Sequence, residues 1–346
     1  MTMRAAVFQG VGKGLAVEER PIPVPDPRHV VIRVGSCGIC GTDLHFTDGH
    51  GFLQMPPGAI LGHEFAGEIV DVGPEVDCLA VGDHITAMAI PACGRCANCE
   101  GGEPQWCTGE PKLFGFAGAF AEFAMVAETQ AVKLPAALSW GDGALVEPLA
   151  VGLHGAYLGH IRPGTDILVI GAGPIALSAV YWARRMGAGR IVVQATSRRR
   201  ERYAKELGAT DFIVSGDNPV GEAIEALHGS PSLVFEAAGM PGTIEQAMQV
   251  VQPRGTVIVL GWCTVPDSYV PALYLMKQVR LQFSMTYSLG EFHHTIDTLD
   301  AGAVEPGAMV SRTVSLDELP AAFESLRGPS EECKVQVDPW KGREKR

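Results

Sequence analysis

Basic side chains are in short supply: 27 Lys and Arg face 39 Asp and Glu, a formal net charge of -12. A chain of that sign is repelled by phosphate backbones and anionic headgroups, which argues against nucleic-acid partners and electrostatic adsorption to membranes. Long apolar runs are missing too. The least polar stretch, "ILVIGAGPIALSAVYWA" (Ile167–Ala183), is shorter than the ~20 residues a spanning helix needs and is broken by Gly-Pro. The opening "MTMRAAVFQG" has no apolar centre of the kind a signal peptide carries, so a cytoplasmic chain is expected. Its nine cysteines are then expected as thiols or metal ligands, not as a disulfide framework. There is no internal repeat and no low-complexity segment.

What is present suffices for a large core. Hydrophobic residues make up 47% and charged residues 19% of 346 positions, which predicts two domains rather than one. The first half reads as β-rich: "HVVIRVGS" and "FAGEIVDVG" are short Val/Ile strands closed by glycines, and "GDHITAMA" and "GAFAEFAMVA" are similar. From about Gly152 the pattern alternates. "DILVIGAG" is a buried strand, "PIALSAVYWARRMGA" a helix with a glycine stop, "RIVVQA" a strand and "RRRERYAKELGA" a helix. "DFIV", "AIEALHG", "LVFEAAG", "TIEQAMQVVQ" and "GTVIVLG" continue it. Strands alternating with helices predict βαβ units and a doubly wound parallel sheet. The strand in "CKVQVDPW" is expected to return to the first domain. The fold class is thus α/β, with a β-rich domain over residues 1–152 and 288–346 and a nucleotide-binding domain over 153–287.

Cys93, Cys96, Cys99 and Cys107 follow the spacing C-x2-C-x2-C-x7-C. Four thiolates on one tight loop close a tetrahedron around Zn²⁺ and leave no open position, so this site is expected to be structural. Elsewhere, "GSCGICGTDLHFTDGHG" (Gly35–Gly51) supplies Cys40, and "LGHEFAG" (Leu61–Gly67) supplies the adjacent pair His63-Glu64. Together these offer a soft and a borderline zinc ligand on two segments.

"VIGAGPIA" follows a strand, opens a helix and matches G-x-G-x-x-A through Gly171, Gly173, Pro174, Ile175 and Ala176. The glycines permit the turn and the close approach of a pyrophosphate, whose charge the helix N-terminus stabilises. An NAD-specific chain places Asp or Glu at the end of the next strand, where it accepts from the adenosine ribose hydroxyls. That position is Ala195, beside Gln194. Thr196 and Ser197 can donate to a 2′-phosphate, and Arg198, Arg199 or Arg200 can pair with it. NADP(H) is therefore expected in preference to NAD(H).

The set "CGICGTDLH" (Cys37–His45), "GHEFAG" (Gly62–Gly67), the cysteine loop, "EPLAVGLH" (Glu147–His154) and "GAGPIA" (Gly171–Ala176), in this order, resembles the zinc-dependent medium-chain alcohol dehydrogenases. The likeness is to their polyol, butanediol and threonine dehydrogenase branch. It implies a GroES-like catalytic domain beside a Rossmann domain and two zinc ions per chain. Cys40, not Cys37, and His63 would be catalytic zinc ligands, and Glu147 the third. Glu64 would stand beside them or move in during turnover. Asp43 would fix the tautomer of His63. Thr42 and His45 would carry the alcohol proton through the cofactor ribose to solvent. The implied reaction is hydride transfer between the nicotinamide and an alcohol or carbonyl activated by zinc.

By position in the family, Phe46, Phe52, Phe114, Trp262 and Met285 are pocket candidates. "FSMTY" (Phe283–Tyr287) carries Phe where relatives commonly have Gly, which favours a fairly apolar secondary alcohol or ketone over a polyol. Relatives pair through the edge of the nucleotide-domain sheet, so a homodimer or homotetramer is expected, with the apolar "GTVIVLGWCTVP" as the candidate edge. Two other classes stay open: a zinc-free reductase of the same fold, and a non-catalytic NADPH-binding redox sensor. Metal content and turnover distinguish them.

Overall fold

A computed structural model describes residues 1–51, 53–109 and 118–342. The chain forms two compact units, Met1–Glu147 with Ser288–Arg346, and Pro148–Tyr287. The first junction lies somewhat before residue 152 and falls inside a helix.

In chain order the first unit begins with β1 (Thr2–Phe8), β2 (Leu15–Pro21), β3 (His29–Gly38), α1 (Gly41–His45), β4 (Glu64–Val72) and β5 (His84–Ala87). Next come α2 (Ala97–Glu100), β6 (Phe123–Ala127), β7 (Ala131–Lys133) and α3 (Trp140–Leu158), which contains the junction. The second unit runs β8 (Ile167–Ile170), α4 (Pro174–Arg185), β9 (Ile191–Ala195), α5 (Glu201–Glu206), β10 (Asp211–Val214) and α6 (Pro219–Leu227). It continues with β11 (Leu233–Glu236), α7 (Thr243–Val250), β12 (Thr256–Val259), α8 (Pro271–Lys277) and β13 (Arg280–Phe283). The chain then completes the first unit with α9 (Leu289–Asp300), β14 (Val310–Val314), α10 (Leu319–Ser325) and β15 (Lys334–Val337).

In the first unit β1 and β2 form an antiparallel hairpin. A seven-stranded sheet has the order β14-β15-β3-β4-β5-β7, with β6 also pairing with β3. The final strand thus enters the sheet interior, with Gln336 opposite Gly38 and Val337 opposite Cys37. Alternation along β3 and β4 sends Val30, Ile32, Val34, Phe65 and Ile69 into one core with Phe120 and Phe323. Phe120 and Phe323 meet edge to face, with ring centroids 6.4 Å apart.

The second unit is an all-parallel six-stranded sheet of order β10-β9-β8-β11-β12-β13. Its central strands are near-continuous apolar runs, the pattern of a sheet covered on both faces. Two sequence expectations need correction here. The helix expected from Arg198 is split: Arg198–Arg200 form a single 3₁₀ turn before α5, because Arg200 has non-helical backbone angles. The sheet edge is β13 and not "GTVIVLGWCTVP", whose strand β12 is hydrogen-bonded to β11 on one side and β13 on the other.

Candidate active site

Cys40 caps the short helix α1. Its sulfur accepts from the Thr42 N–H at 3.4 Å, while the Asp43 carboxylate accepts from the Cys40 N–H at 3.0 Å. This reciprocal cap fixes where the sulfur stands. His63 is presented by a different device. Gly62 has φ +95°, and a Cβ there would lie 2.8 Å from the Cys37 sulfur and 2.7 Å from the Phe120 ring. The turn that only glycine fits leads through His63 into β4, whose first residue is Glu64, and both side chains are buried.

Donor atoms of Cys40, His63 and Glu64 all lie within 4.8 Å of one another. Sulfur, imidazole nitrogen and carboxylate oxygen at that spacing suit zinc. Asp43, fully buried, has an oxygen 3.4 Å from His63 Nδ1. Burial opposes a charged imidazole, but the charges of Asp43 and Cys40 outweigh it and hold the His63 pKa well above its ordinary value. The same negative surroundings that attract a proton attract a metal cation. Cys37 is different: burial, reinforced by Asp43 and Glu64, pushes its thiol well up, and its sulfur lies 3.7 Å from the Gly38 carbonyl oxygen.

Glu64 has a partner that sequence reasoning missed. Lys334, on β15, donates to both of its carboxylate oxygens, at 2.7 and 2.6 Å, and to the Ile39 carbonyl at 3.1 Å. Both residues are buried. Burial lowers the stability of the ammonium charge, but Glu64 and Cys40 outweigh that and bring the Lys334 pKa up to about 12. The signal in the sequence was a lone lysine opening "KVQV", the strand whose other residues, Val335, Gln336 and Val337, are all buried in the structure. Gly38, opposite Glu64 in the ladder, makes the room: a Cβ there would lie 2.2 Å from Glu64 Oε2. Glu147 is buried in α3 but lies outside the set of three mutually close donors.

Thr42 Oγ1 lies 3.5 Å from the Cys40 sulfur, which sets the hydroxyl at the rim of the donor cluster. His45, at the other end of α1, is partly exposed, with Nδ1 3.6 Å from Asp48. Of the pocket candidates, Phe46 is buried in the first unit. Trp262 is half-buried and Met285 exposed, both in the second unit. Phe52 and Phe114 lie outside the described residues.

The four cysteines of the 93–107 loop form the second donor cluster. Cys96 and Cys99 sulfurs are 3.4 Å apart; the Cys93–Cys99 and Cys96–Cys107 separations are both 4.0 Å. A tetrahedron with Zn–S of about 2.3 Å has edges of about 3.8 Å, so these separations bracket the ideal. N–H groups of Cys99 and Thr108 draw the Cys96 thiol far down, to about 5, which favours the thiolate a metal requires.

At the nucleotide turn, Gly171 has φ +108° and Gly173 caps α4, with Pro174 and Ile175 opening the helix and Ala176 fully buried. Ala195 ends β9. Gln194 is turned away: its amide donates to Pro219 O at 2.9 Å and accepts from Gln246 at 2.8 Å. Thr196, Arg198 and Arg199 are exposed, and Ser197 is half-buried. Arg198 is held by the Glu201 carboxylate, 2.8 Å from each oxygen. Arg200 stands nearer the turn, its Nη1 3.9 Å from where a Cβ on Gly173 would be.

Two family profiles match the chain: "Alcohol dehydrogenase GroES-like domain" over residues 26–136 and "Zinc-binding dehydrogenase" over 174–301. The chain is 31% identical to sorbitol dehydrogenase of Bacillus subtilis over 97% of both chains. A Sinorhizobium meliloti structure described as a zinc-binding dehydrogenase, with NADP bound, superposes with TM-score 0.87 at 32% identity, covering 98% of this chain and 100% of that one. An alcohol dehydrogenase from Escherichia coli complexed with NADH gives TM-score 0.88 at 27% identity, covering 97% and 99%. No helix among the described residues is long and apolar enough to cross a membrane. Two donor clusters, a glycine turn closing a parallel sheet and full-length likeness converge: the chain belongs to the zinc-dependent medium-chain alcohol dehydrogenases and is an oxidoreductase.

Proposed function

We propose that this protein is an NADP(H)-dependent alcohol dehydrogenase and carbonyl reductase that interconverts a fairly apolar secondary alcohol and its ketone. The observation that carries the reaction class is the sulfur–nitrogen–oxygen cluster of half-buried Cys40 and buried His63 and Glu64. These residues hold the catalytic zinc in this reading, and Cys93, Cys96, Cys99 and Cys107 hold a structural one. Zinc supplies Lewis acidity at the substrate oxygen, and the nicotinamide gives or takes the hydride. Asp43 orients His63, so that the imidazole offers its other nitrogen to the metal. Thr42, beside Cys40, takes the alcohol proton, and His45, with Asp48 beside it, delivers it to solvent. The Lys334–Glu64 pair keeps a buried carboxylate charge compensated whether or not that carboxylate ligates metal.

NADP(H) preference is supported by the end of β9. Ala195 offers no carboxylate to repel a 2′-phosphate, and Gln194 is engaged elsewhere. Thr196, Ser197, Arg198 and Arg199 are the candidate phosphate donors. Phosphate would compete with Glu201 for Arg198. Assembly as a homodimer or homotetramer is part of the same reading. The unpaired edge of β13 carries Phe283, 61% exposed, and α8 just before it exposes Leu275 and Met276. A cytoplasmic location is part of the same reading, and none of the nine cysteines is in a disulfide. The deciding experiment measures kcat/KM for NADPH and NADH over a panel of ketones. At least about a tenfold NADPH preference is expected, equivalent to about 1.4 kcal/mol. A preference for NADH refutes the cofactor assignment, and no turnover over the whole panel refutes the enzyme.

A further inference from the structure

The strand order of the second unit reverses between β8 and β11: β9 and β10 lie on one side, β12 and β13 on the other. In open parallel sheets a dinucleotide sits beyond the strand ends at such a reversal. The loops flanking the crevice are Gly171–Gly173, after β8, and Ala237–Gly239, after β11. The adenosine half is read at the end of β9, so the nicotinamide half falls on the β11 side.

Glu236 is the last residue of β11, and only 1% of it is exposed. One carboxylate oxygen accepts from Ala238 N–H at 2.8 Å and Gly239 N–H at 2.9 Å, and the Thr243 hydroxyl, 2.9 Å away, shares its one proton between that oxygen and the Met240 carbonyl at 2.6 Å. The other faces Gly261, where a Cβ would lie 2.6 Å from Glu236 Oε2 and 2.3 Å from Gly239 N. The main-chain carbonyl of Glu236 accepts from Leu260 and Gly261 N–H at 2.7 and 3.0 Å. On the opposite side, a Cβ on Gly171 would lie 2.9 Å from the Ala237 carbonyl. Three loops, after β8, β11 and β12, therefore meet backbone to backbone around one buried carboxylate. Hydrogen bonds to a carboxylate are roughly twice as strong as neutral ones, and the two backbone donors converging on one oxygen fix the 237–239 backbone before any ligand arrives.

We propose that Glu236 is a positioning residue for the cofactor: its carboxylate presets the 237–239 loop against which the nicotinamide half rests. The inference rests on the reading of the second unit as a dinucleotide site. Glu236 acts on the half shared by both cofactors, so it sets affinity and leaves the choice between NADPH and NADH alone.

The test uses zinc-loaded full-length protein and NADPH or NADH titrations followed by nicotinamide fluorescence. Wild-type protein that binds neither cofactor sinks the dinucleotide reading and this inference with it. If wild type binds, Glu236→Gln, which keeps shape and loses charge, is expected to raise both dissociation constants about tenfold by the same factor. Zinc content is expected to stay unchanged. A Glu236→Gln protein that folds and binds both cofactors within twofold of wild type overturns the proposal, as does a loss confined to one cofactor. Should that variant fail to fold, Thr243→Val removes the hydroxyl that this oxygen shares with the Met240 carbonyl. A rise of about threefold in both constants supports the proposal, and unchanged constants overturn it.

Discussion

The Lys334 ammonium stands 2.6 and 2.7 Å from the two carboxylate oxygens of Glu64, and neither side chain reaches solvent. Such a pair adds little net stability over an apolar replacement of both partners, but removing one strands the other's charge. Lys334→Met is expected to destabilise metal-free protein by about 3–5 kcal/mol. Zinc should restore much of the loss, since the cation takes over the compensation. Denaturant melts with and without zinc check this; equal losses in both conditions contradict it.

The two glutamates that are candidates for the proposed catalytic zinc can be ranked. Family likeness points to Glu147, whereas the geometry brings Glu64 into the donor set with Cys40 and His63. Glu64→Ala is expected to lower zinc affinity more than Glu147→Ala, by about tenfold or more, the scale of losing a ligand or its close support. Chelator competition on the two variants gives the answer, and a reversed order returns the role to Glu147.

The two cysteine-containing clusters should fail differently. Cys40→Ala is expected to remove one zinc per chain and abolish turnover while the fold survives. Cys96→Ser opens a closed thiolate site and is expected to cost about several kcal/mol of stability first, with activity falling as a consequence. Metal analysis alongside thermal melts separates the cases. Full activity in Cys40→Ala refutes the site.

Room for Glu64 depends on a glycine that looks unremarkable in sequence. Gly38→Ala would set a methyl 2.2 Å from Glu64 Oε2, and β3 is buried on both sides there. About 1–3 kcal/mol of overpacking is expected, together with weaker zinc binding. Unchanged zinc affinity in a folded Gly38→Ala protein counts against the close approach.

Ala195→Asp supplies the carboxylate that the end of β9 lacks. It is expected to move the NADPH to NADH ratio of kcat/KM toward NADH by about tenfold or more. An unchanged ratio means that the ribose is not read at this strand end.

Much of the second unit was legible because apolar runs of strand length alternate with glycine-stopped helices, and burial on both sheet faces leaves that pattern undisturbed. The edge strand was not. Arg280, Gln282 and Phe283 are exposed, so β13 lacks the apolar signature of its neighbours. Local pattern likewise failed at Arg198, where three arginines suit a helix interior but the chain makes a 3₁₀ turn first. In the candidate site, the cysteine loop stood out by residue type and spacing, whereas Cys40 and His63, on two separate segments, were picked out through the family resemblance. Lys334 was not, because its partner lies 270 residues away and no local rule couples them.

That separation also orders events during synthesis. β15 is inserted between β14 and β3, so the sheet that holds the metal donors is closed from both ends of the chain. A nascent chain that already contains Cys40, His63 and Glu64 has no Lys334 to pair with the carboxylate, and the ladder partners of Cys37 and Gly38 on β15 do not yet exist. At about 5–20 residues per second, that gap lasts on the order of tens of seconds. The metal-donor half therefore waits, half-built, while the entire nucleotide-binding unit is made, and that unit has every contact of its own sheet before the catalytic one is complete.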